Sequence, residues 1–412
     1  MREVNANLYV VGIIGGGYVG LPNAVYYAER GAEVVVFDTD ESVVAGINSG
    51  ISHIADVENE VLLKLVSAGR IRATQDFTQI ANCQYIFIDV PTPLKHGEKQ
   101  PSYVYIDMVA SSLAEYLPKG KGVVVFLEST VAPGDTFRYL IHPLQEAGYK
   151  LDVDVYVCFF PERINPGGSF DFRRVSRVLG GSKLATRKAS HFFSALKSSQ
   201  ELQQEITTVS SIETAELSKI LENTYRYVNI ALINEFAKVA QKIGVDITEA
   251  IDAAGTKPYG FQKFYPNIKI GGHCIPVDPF YLYNSMQELG IEMPLLKAAS
   301  SVNDSMLNFG VEKIVDALDK PLKVANIALI GATYKKNIAD VRESAAFVLK
   351  NRLQELGASV ELFDPLIYPK TWKNDYTDFD LVVLLVGHTC VDIDELKSNS
   401  KLFVNLDFDL KK

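Results

Sequence analysis

Apolar and polar positions along the chain fall into two rhythms. Residues 8–14 form a short apolar run, followed by a glycine turn and then by residues 19–30, which suit a helix stopped at Gly31. Glu33–Phe37 is a second apolar run closed by Asp38, and residues 85–90 are a third, closed by Pro91 and Pro93. Val123–Leu127 and residues 153–159 continue the series. Buried strands alternating with helices predict a parallel sheet covered on both faces.

The rhythm changes at Ile212. No Pro or Gly occurs from there until Gly244, and Leu217, Ile220, Leu221, Thr224, Val228, Ala231 and Leu232 recur at roughly helical spacing. The pattern predicts one long connecting helix, then a helical region to about Gly310 interrupted by a loop over 256–279. Near Pro321 the strand rhythm returns: strands over 324–330, 357–363 and 381–386, with a helix over 343–356. The segment Gly357-Ala358-Ser359-Val360-Glu361-Leu362-Phe363-Asp364 echoes Gly31-Ala32-Glu33-Val34-Val35-Val36-Phe37-Asp38. The expected fold is therefore α/β: two Rossmann-like doubly wound domains joined by a long central helix, divided as 1–205, 206–310 and 311–412.

Composition narrows this little but usefully. The 412 residues are 47% hydrophobic and 22% charged, enough for a core and unlike a disordered chain. A net charge of −9 argues against a general nucleic-acid binder. Four scattered cysteines, with no CxxC and no metal-ligand spacing, point to a reducing cytosol, a cytoplasmic protein and no metal site. Residues 8–28 carry no charge, but five glycines and the lack of a basic leader fit a buried strand running into a buried helix, not a membrane segment.

Two segments carry candidate chemistry. Gly15-Gly16-Gly17-Tyr18-Val19-Gly20 follows a strand, opens a helix, and precedes a strand ending in Asp38. That is the context in which G-x-G-x-x-G binds a dinucleotide. Gly15 permits the tight turn, Gly17 lets backbone approach a pyrophosphate, and Gly20 lets helix pack on strand. The helix N-terminus favours the anion. Asp38 accepts from a ribose 2′-hydroxyl and repels a 2′-phosphate, so the expected cofactor is NAD. The second segment is Gly271-Gly272-His273-Cys274-Ile275-Pro276-Val277-Asp278-Pro279. Its glycines allow unusual backbone angles, and a Cys thiolate is a strong nucleophile. Cys274 alone also fits a small buried hydrophobe. Adjacent side chains on an extended chain point apart, so His273 reads better as a backbone-bonded or substrate-contacting group than as a base for Cys274.

With these motifs in view, the sequence resembles the UDP-glucose/GDP-mannose dehydrogenase family over nearly its whole length. The matching segments occur in one order: the glycine turn, Val90-Pro91-Thr92-Pro93, Glu128-Ser129-Thr130, Pro161-Glu162-Arg163, Ala215-Glu216-Leu217-Ser218-Lys219 with Glu222-Asn223, Asn234-Glu235, the Cys274 loop and Asp340-Val341-Arg342-Glu343-Ser344. Within the family, Gly255-Thr256-Lys257-Pro258-Tyr259-Gly260-Phe261 and the Gly-Gly-His-Cys form of the loop look most like the UDP-N-acetylglucosamine 6-dehydrogenases.

The resemblance implies an NAD-dependent four-electron oxidation of a sugar C6 alcohol to a carboxylate, by way of a Cys274 thiohemiacetal and thioester. It implies that Lys219 and Asn223, four apart on one helix face, serve the reacting oxygen. Asp278 would orient Cys274 or a water, Glu162 would be the base for hydrolysis, and Thr130 would position water. Cofactor contacts are expected at Gly15, Gly17, Tyr18, Val19, Gly20, Asp38, Pro91, Thr92 and Thr130. Substrate contacts are expected at Glu162, Arg163, Lys219, Asn223, Gly271, Gly272, His273, Tyr334, Lys335 and Arg342. The third domain would hold the UDP, Arg and Lys matching phosphate in charge and geometry. A homodimer through the central helix is the family expectation.

Two departures stand out. Pro266-Asn267-Ile268-Lys269-Ile270 replaces a common Gly-Pro-Gly, adding bulk and charge to the substrate loop, and the C-terminus after Asn405 lacks a common Arg. The best-fitting substrate is UDP-GlcNAc. UDP-glucose, UDP-ManNAc, a two-electron hydroxyacid dehydrogenase and a non-catalytic nucleotide-sugar sensor are the alternatives.

Overall fold

A computed structural model describes residues 9–54, 56–95, 98–163, 174–196, 205–272, 274–373 and 375–408. Two compact units emerge. One holds the described residues up to Leu221 together with Phe280–Ser285; the other holds Glu222–Pro279 and the described residues from Met286 onward.

The first unit is built on strands β1 (Val10–Ile14), β2 (Glu33–Phe37), β3 (Ile71–Thr74), β4 (Tyr85–Ile88), β5 (Val123–Leu127), β6 (Val155–Phe159), β7 (Arg177–Gly181) and β8 (Ile206–Thr208). They form one sheet in the order β3-β2-β1-β4-β5-β6-β7-β8. All neighbours are parallel except β6 with β7. Helices cover both faces, which is why the strands in the middle of the sheet, β1, β2, β4, β5 and β6, are apolar at nearly every position. Val34 and Val36 enter one core, while Val35 and Phe37 enter the other, as the period-two pleat requires. Ile14 stands opposite both Phe37 and Ile88, and Ile88 opposite Leu127. The residues that follow, Gly15, Asp38, Asp89 and Glu128, therefore leave the sheet along one edge. This edge flanks the point where strand order reverses, the usual place for a ligand in an open α/β sheet.

The second unit holds a four-stranded parallel sheet of β9 (Asn326–Ile330), β10 (Ser359–Phe363), β11 (Leu381–Leu384) and β12 (Phe403–Asn405), in the order β10-β9-β11-β12. It also contains helices Ile247–Ala254 and Pro294–Ala317. The helix Ile212–Ile243 is continuous, as its sequence predicts. Among the described residues, no helix is long and apolar enough to cross a membrane.

The echo between the two sheets extends to the backbone. Gly15 donates to Phe37 O at 2.8 Å, and Gly331 donates to Phe363 O at 2.8 Å. Their φ values are 103° and 98°. Asp38 accepts from Gly16 N–H at 2.7 Å, and Asp364 from Ala332 N–H at 2.7 Å.

Candidate active site

The glycine turn is shaped for a ligand. At Gly15 a Cβ would lie 2.7 Å from Asp89 O, and at Gly20 one would lie 1.8 Å from Gly15 O, so neither position admits a side chain. At Gly17 nothing lies within 4 Å, so backbone faces open space there. Val19 caps the helix Gly20–Glu29, whose positive dipole end follows Gly17 and Tyr18. Asp38 is half-buried and held by Gly16 N–H (2.7 Å) and Asp40 N–H (2.9 Å), leaving lone pairs for a hydroxyl. Thr92 is buried beyond β4, Pro91 is exposed, and Thr130 is half-buried beyond β5. Ser129 ties these ends together by donating to Val90 O at 2.7 Å. The residues fit NAD: a cradle beside Gly17 for the pyrophosphate and a carboxylate for the ribose.

Further along the same unit, Lys219 is buried and donates to Glu162 O at 2.5 Å. Glu162 is buried, and Arg163 donates to Ser176 O at 2.7 Å. Glu216, fully buried one turn before Lys219, accepts from Gly134 N–H (2.6 Å) and Thr136 N–H (2.9 Å). It thereby fixes the start of the long helix against the loop that follows Thr130. Burial pushes the Glu216 carboxyl up to about 7 against the pull of these N–H donors.

In the second unit, Asn223 donates to Asp278 at 2.6 Å, both side chains being buried. Asp278 opens the helix Asp278–Glu288, and its N–H donates to Cys274 O at 2.8 Å. Cys274 thus sits half-buried on the turn entering that helix. Cys83 and Cys158 are buried, and burial raises each thiol to about 12, which fits inert core thiols. Gly272, with φ 85°, donates to Arg342 O at 3.3 Å. A Cβ on Gly271 would lie 2.7 Å from the Tyr334 side chain, so the glycines let the cysteine loop lie flat on Tyr334. His273 lies outside the described residues.

Beside this loop is a cavity of about 490 Å³. Tyr334 and Lys335 line it, as do Arg226, Lys263, Lys269 and Lys336. Asp407 is the carboxylate on its wall. Lys263 is paired with Asp252 and Lys269 with Glu343, yet cations still outnumber carboxylates around the cavity, the sign that suits a diphosphate. Arg342 instead grips its neighbour Asp340, with Nη2 2.7 Å from the carboxylate.

The extra bulk of the 266–270 segment is absorbed by packing. Ile268 is buried over Gly310 and joins the core of the second sheet. Asn267 N–H donates to Asn234 at 2.9 Å, and Lys269 bonds both the carboxylate (2.7 Å) and the carbonyl (2.9 Å) of Glu343. At the C-terminus, Asp407 accepts from Gly387 N–H at 2.6 Å; residues 409–412 lie outside the described set.

Sequence reasoning missed the buried Asn23, Glu128 and Arg177 as a group, and Arg226 and Lys269 as cavity-lining cations. The one signal for the first group was an Arg at the head of the apolar run Val178-Leu179-Gly180-Gly181.

Comparison with known proteins bears on the same segments. Residues 9–196 match the NAD binding domain of the UDP-glucose/GDP-mannose dehydrogenase family, residues 213–305 its central domain, and residues 328–407 its UDP binding domain. A UDP-N-acetyl-D-glucosamine 6-dehydrogenase of Pseudomonas aeruginosa is 32% identical over 92% of this chain and 90% of its own. A UDP-N-acetyl-D-mannosamine dehydrogenase of Pyrococcus horikoshii is 33% identical over 87% of this chain and 84% of its own. The solved structure of the UDP-D-ManNAc dehydrogenase from Pyrococcus horikoshii superimposes with a TM-score of 0.86 at 29% identity, covering 98% of this chain and 96% of that one. With all three domains matched in order, the chain belongs to the UDP-glucose/GDP-mannose dehydrogenase family and is an NAD-dependent nucleotide-sugar dehydrogenase.

Proposed function

We propose that the protein oxidises the C6 alcohol of a UDP-N-acetylhexosamine, UDP-GlcNAc first among them, to the uronate, with Cys274 as nucleophile. The observation that carries this is the turn at Cys274, half-buried and continuous with a buried Asp278 that Asn223 holds at 2.6 Å. NAD, when bound, accepts the hydride lost from C6 in each of two oxidations. The first oxidation turns the alcohol into an aldehyde and releases one proton. Cys274 sulfur then adds to the aldehyde carbon, and its thiol proton passes to the new hydroxyl, giving a thiohemiacetal. The second oxidation leaves a thioester and releases another proton. Water attacks the thioester carbon, the C–S bond breaks, and the carboxylate and free thiol remain.

Lys219 stabilises the oxygen that bears developing negative charge, and Asn223 donates to it. Asp278 orients Cys274 or the attacking water. Glu162 takes the water's proton, and Thr130 positions that water. Lys335 and Tyr334 in the cationic cavity hold the UDP, with Arg163, Gly271, Gly272, His273 and Arg342 as further substrate contacts. Gly15, Gly17, Tyr18, Val19, Gly20, Asp38, Pro91, Thr92 and Thr130 hold the cofactor. The protein works in the cytoplasm as a homodimer whose second copy covers the apolar face of the long helix.

The test is NADH formation from NAD with UDP-GlcNAc, UDP-ManNAc or UDP-glucose. Two NADH per UDP-GlcNAc, with a drop of at least about a thousandfold in Cys274→Ala, is expected. Turnover of another sugar alone moves the substrate assignment, and one NADH per sugar rejects the thioester route.

A further inference from the structure

Beside Glu162 and Lys219 in the first unit runs a buried polar chain that the reaction scheme leaves unused. β7 runs antiparallel to β6, so its first residue, Arg177, lies beside the chain leaving β6. Arg177 is 4% exposed. A guanidinium at that depth is costly unless its donors are used. Here they are: Nη2 lies 2.8 Å from the Glu128 carboxylate and donates to Phe160 O at 2.6 Å, while Nε donates to Pro161 O at 3.3 Å. The guanidinium also lies 3.6 Å from the centre of the Phe160 ring. The next carbonyl in the chain is that of Glu162, which accepts from Lys219. Three consecutive carbonyls are thus gripped by two cations. Pro161 has no N–H, and the Phe160 N–H is already bonded to Leu127 O at 2.9 Å, so these carbonyls are where the cations hold the segment.

Glu128 is anchored in turn. Its Oε2 accepts from Asn23 Nδ2 at 2.9 Å, and Asn23 is on the helix that follows the glycine turn. Asp89 is the second carboxyl here, 3.3 Å from the same amide. Burial, together with the nearby Glu128, pushes the Asp89 carboxyl well above the ordinary carboxylate range.

We propose that Arg177 is a positioning residue for the oxidation: it fixes the Phe160-Pro161-Glu162 backbone so that the Glu162 carbonyl holds the Lys219 ammonium in place, while Asn23, on the helix that follows the glycine turn, braces Arg177 through Glu128. The inference rests on Lys219 serving the reacting oxygen. A lysine at 177 keeps the charge but cannot serve Glu128 and two carbonyls with a planar fork. Small misplacements of a catalytic group cost roughly a hundredfold in rate.

The test compares Arg177→Lys with the unaltered enzyme, in the wild-type and Lys219→Ala backgrounds. Expected are a fall in kcat of roughly ten- to a hundredfold, KM for the UDP-sugar and NADH affinity within about twofold, and less than about a twofold further loss in the Lys219→Ala background. Faster hydrogen exchange in a peptide spanning 157–163 accompanies it. Glu128→Gln, which keeps the shape and the Asn23 contact, is expected to act in the same direction. Unchanged kcat overturns the proposal, as does an equal fold-loss in both backgrounds. Failure of both variants to fold, read by circular dichroism and NADH fluorescence, overturns it in favour of a purely structural role. If the unaltered enzyme reduces no NAD with any of the three UDP-sugars, the proposed reaction falls. Exchange at 157–163 then decides alone whether Arg177 orders that segment, and unchanged protection rejects it.

Discussion

Asp364 ends β10 as Asp38 ends β2, yet its surroundings give it a different task. It is fully buried, and the His388 ring lies 3.1 Å from it. His388 Nδ1 accepts from Asn337 N–H at 2.9 Å, so Nε2 carries the proton that faces the carboxylate. Burial alone would raise the acid, but the His388 ring and the N–H groups of Ala332, Ile367 and Leu366 outweigh it and hold Asp364 down to about 2. A folded pKa below the ordinary 3.8 means that the unfolded chain binds the proton more readily. The group's stabilisation is therefore present above about pH 4 and lost as pH falls through 2, a span of about 2 kcal/mol. Asp364→Asn should flatten that acid limb, measured by urea unfolding at steps between pH 5 and 2; an unchanged slope would reject the assignment. No sequence pattern announces this pairing, because His388 meets Asp364 only after β10 and β11 flank β9. Arg177 hides for the same reason. Cys274, Asp278 and the glycine turn are legible because their chemistry is local: the backbone angles and neighbours that matter lie within a few residues.

Elements were legible where their local pattern runs unbroken. The run without Gly or Pro from Ile212 gives a helix to Ile243, and Glu33–Phe37 and Val123–Leu127 form strands at their expected bounds. The strands that the local pattern does not announce are short, mixed in polarity or glycine-ended: β3 reads Ile-Arg-Ala-Thr, β7 reads Arg-Val-Leu-Gly-Gly, and β8 and β12 have three residues each. At such edges the tertiary fold decides, not the local period. The helix expected from 343 begins at Ala345, because Glu343 takes a φ of 52° and the Ser344 hydroxyl accepts the Ala346 N–H as its cap. The long helix also keeps an apolar stripe in the open: Leu217, Leu221, Tyr225, Leu232, Phe236, Val239 and Ile243 are all exposed, Leu221 by 62% and Ile243 by 68%. Spacings of three, four and seven put them on one face. Fully burying an exposed side chain of this kind is worth about 1.5–3 kcal/mol, and in the proposed homodimer a second copy of the same stripe would supply the remaining cover symmetrically. Phe236→Glu is expected to shift the protein from dimer to monomer in light scattering behind size exclusion. A monomeric unaltered protein would remove the basis for the homodimer.

At the scale of the molecule, one backbone device is used twice and read differently each time. Gly15 and Gly331 start equivalent turns, and an aspartate ends the neighbouring strand in each sheet. After Gly15 come Gly16, Gly17 and Gly20; after Gly331 the corresponding places hold Ala332, Thr333 and Lys336. The first turn leaves open backbone at Gly17, whereas the second carries the buried Thr333 at that place and sets Tyr334 and Lys335 on the wall of a cationic cavity. The aspartates divide in the same way. Asp38 is half-buried and its carboxylate is bonded only to backbone N–H groups among the described residues, whereas Asp364 is fully buried against His388. Only the first sheet should therefore read a dinucleotide, with one NADH per chain in a binding titration followed by NADH fluorescence. Asp38→Asn removes the charge that favours a ribose hydroxyl and repels a 2′-phosphate. A charged hydrogen bond of this kind is worth about 1.5–3 kcal/mol, so kcat/KM for NAD should fall at least about tenfold. The preference for NAD over NADP should shrink by more than that, since the repulsion goes too. Asp364→Asn should leave both cofactor constants unchanged. If Asp364→Asn weakened NAD as much as Asp38→Asn does, the second turn would be reading the cofactor as well, and the division of labour between the two sheets would have to be abandoned.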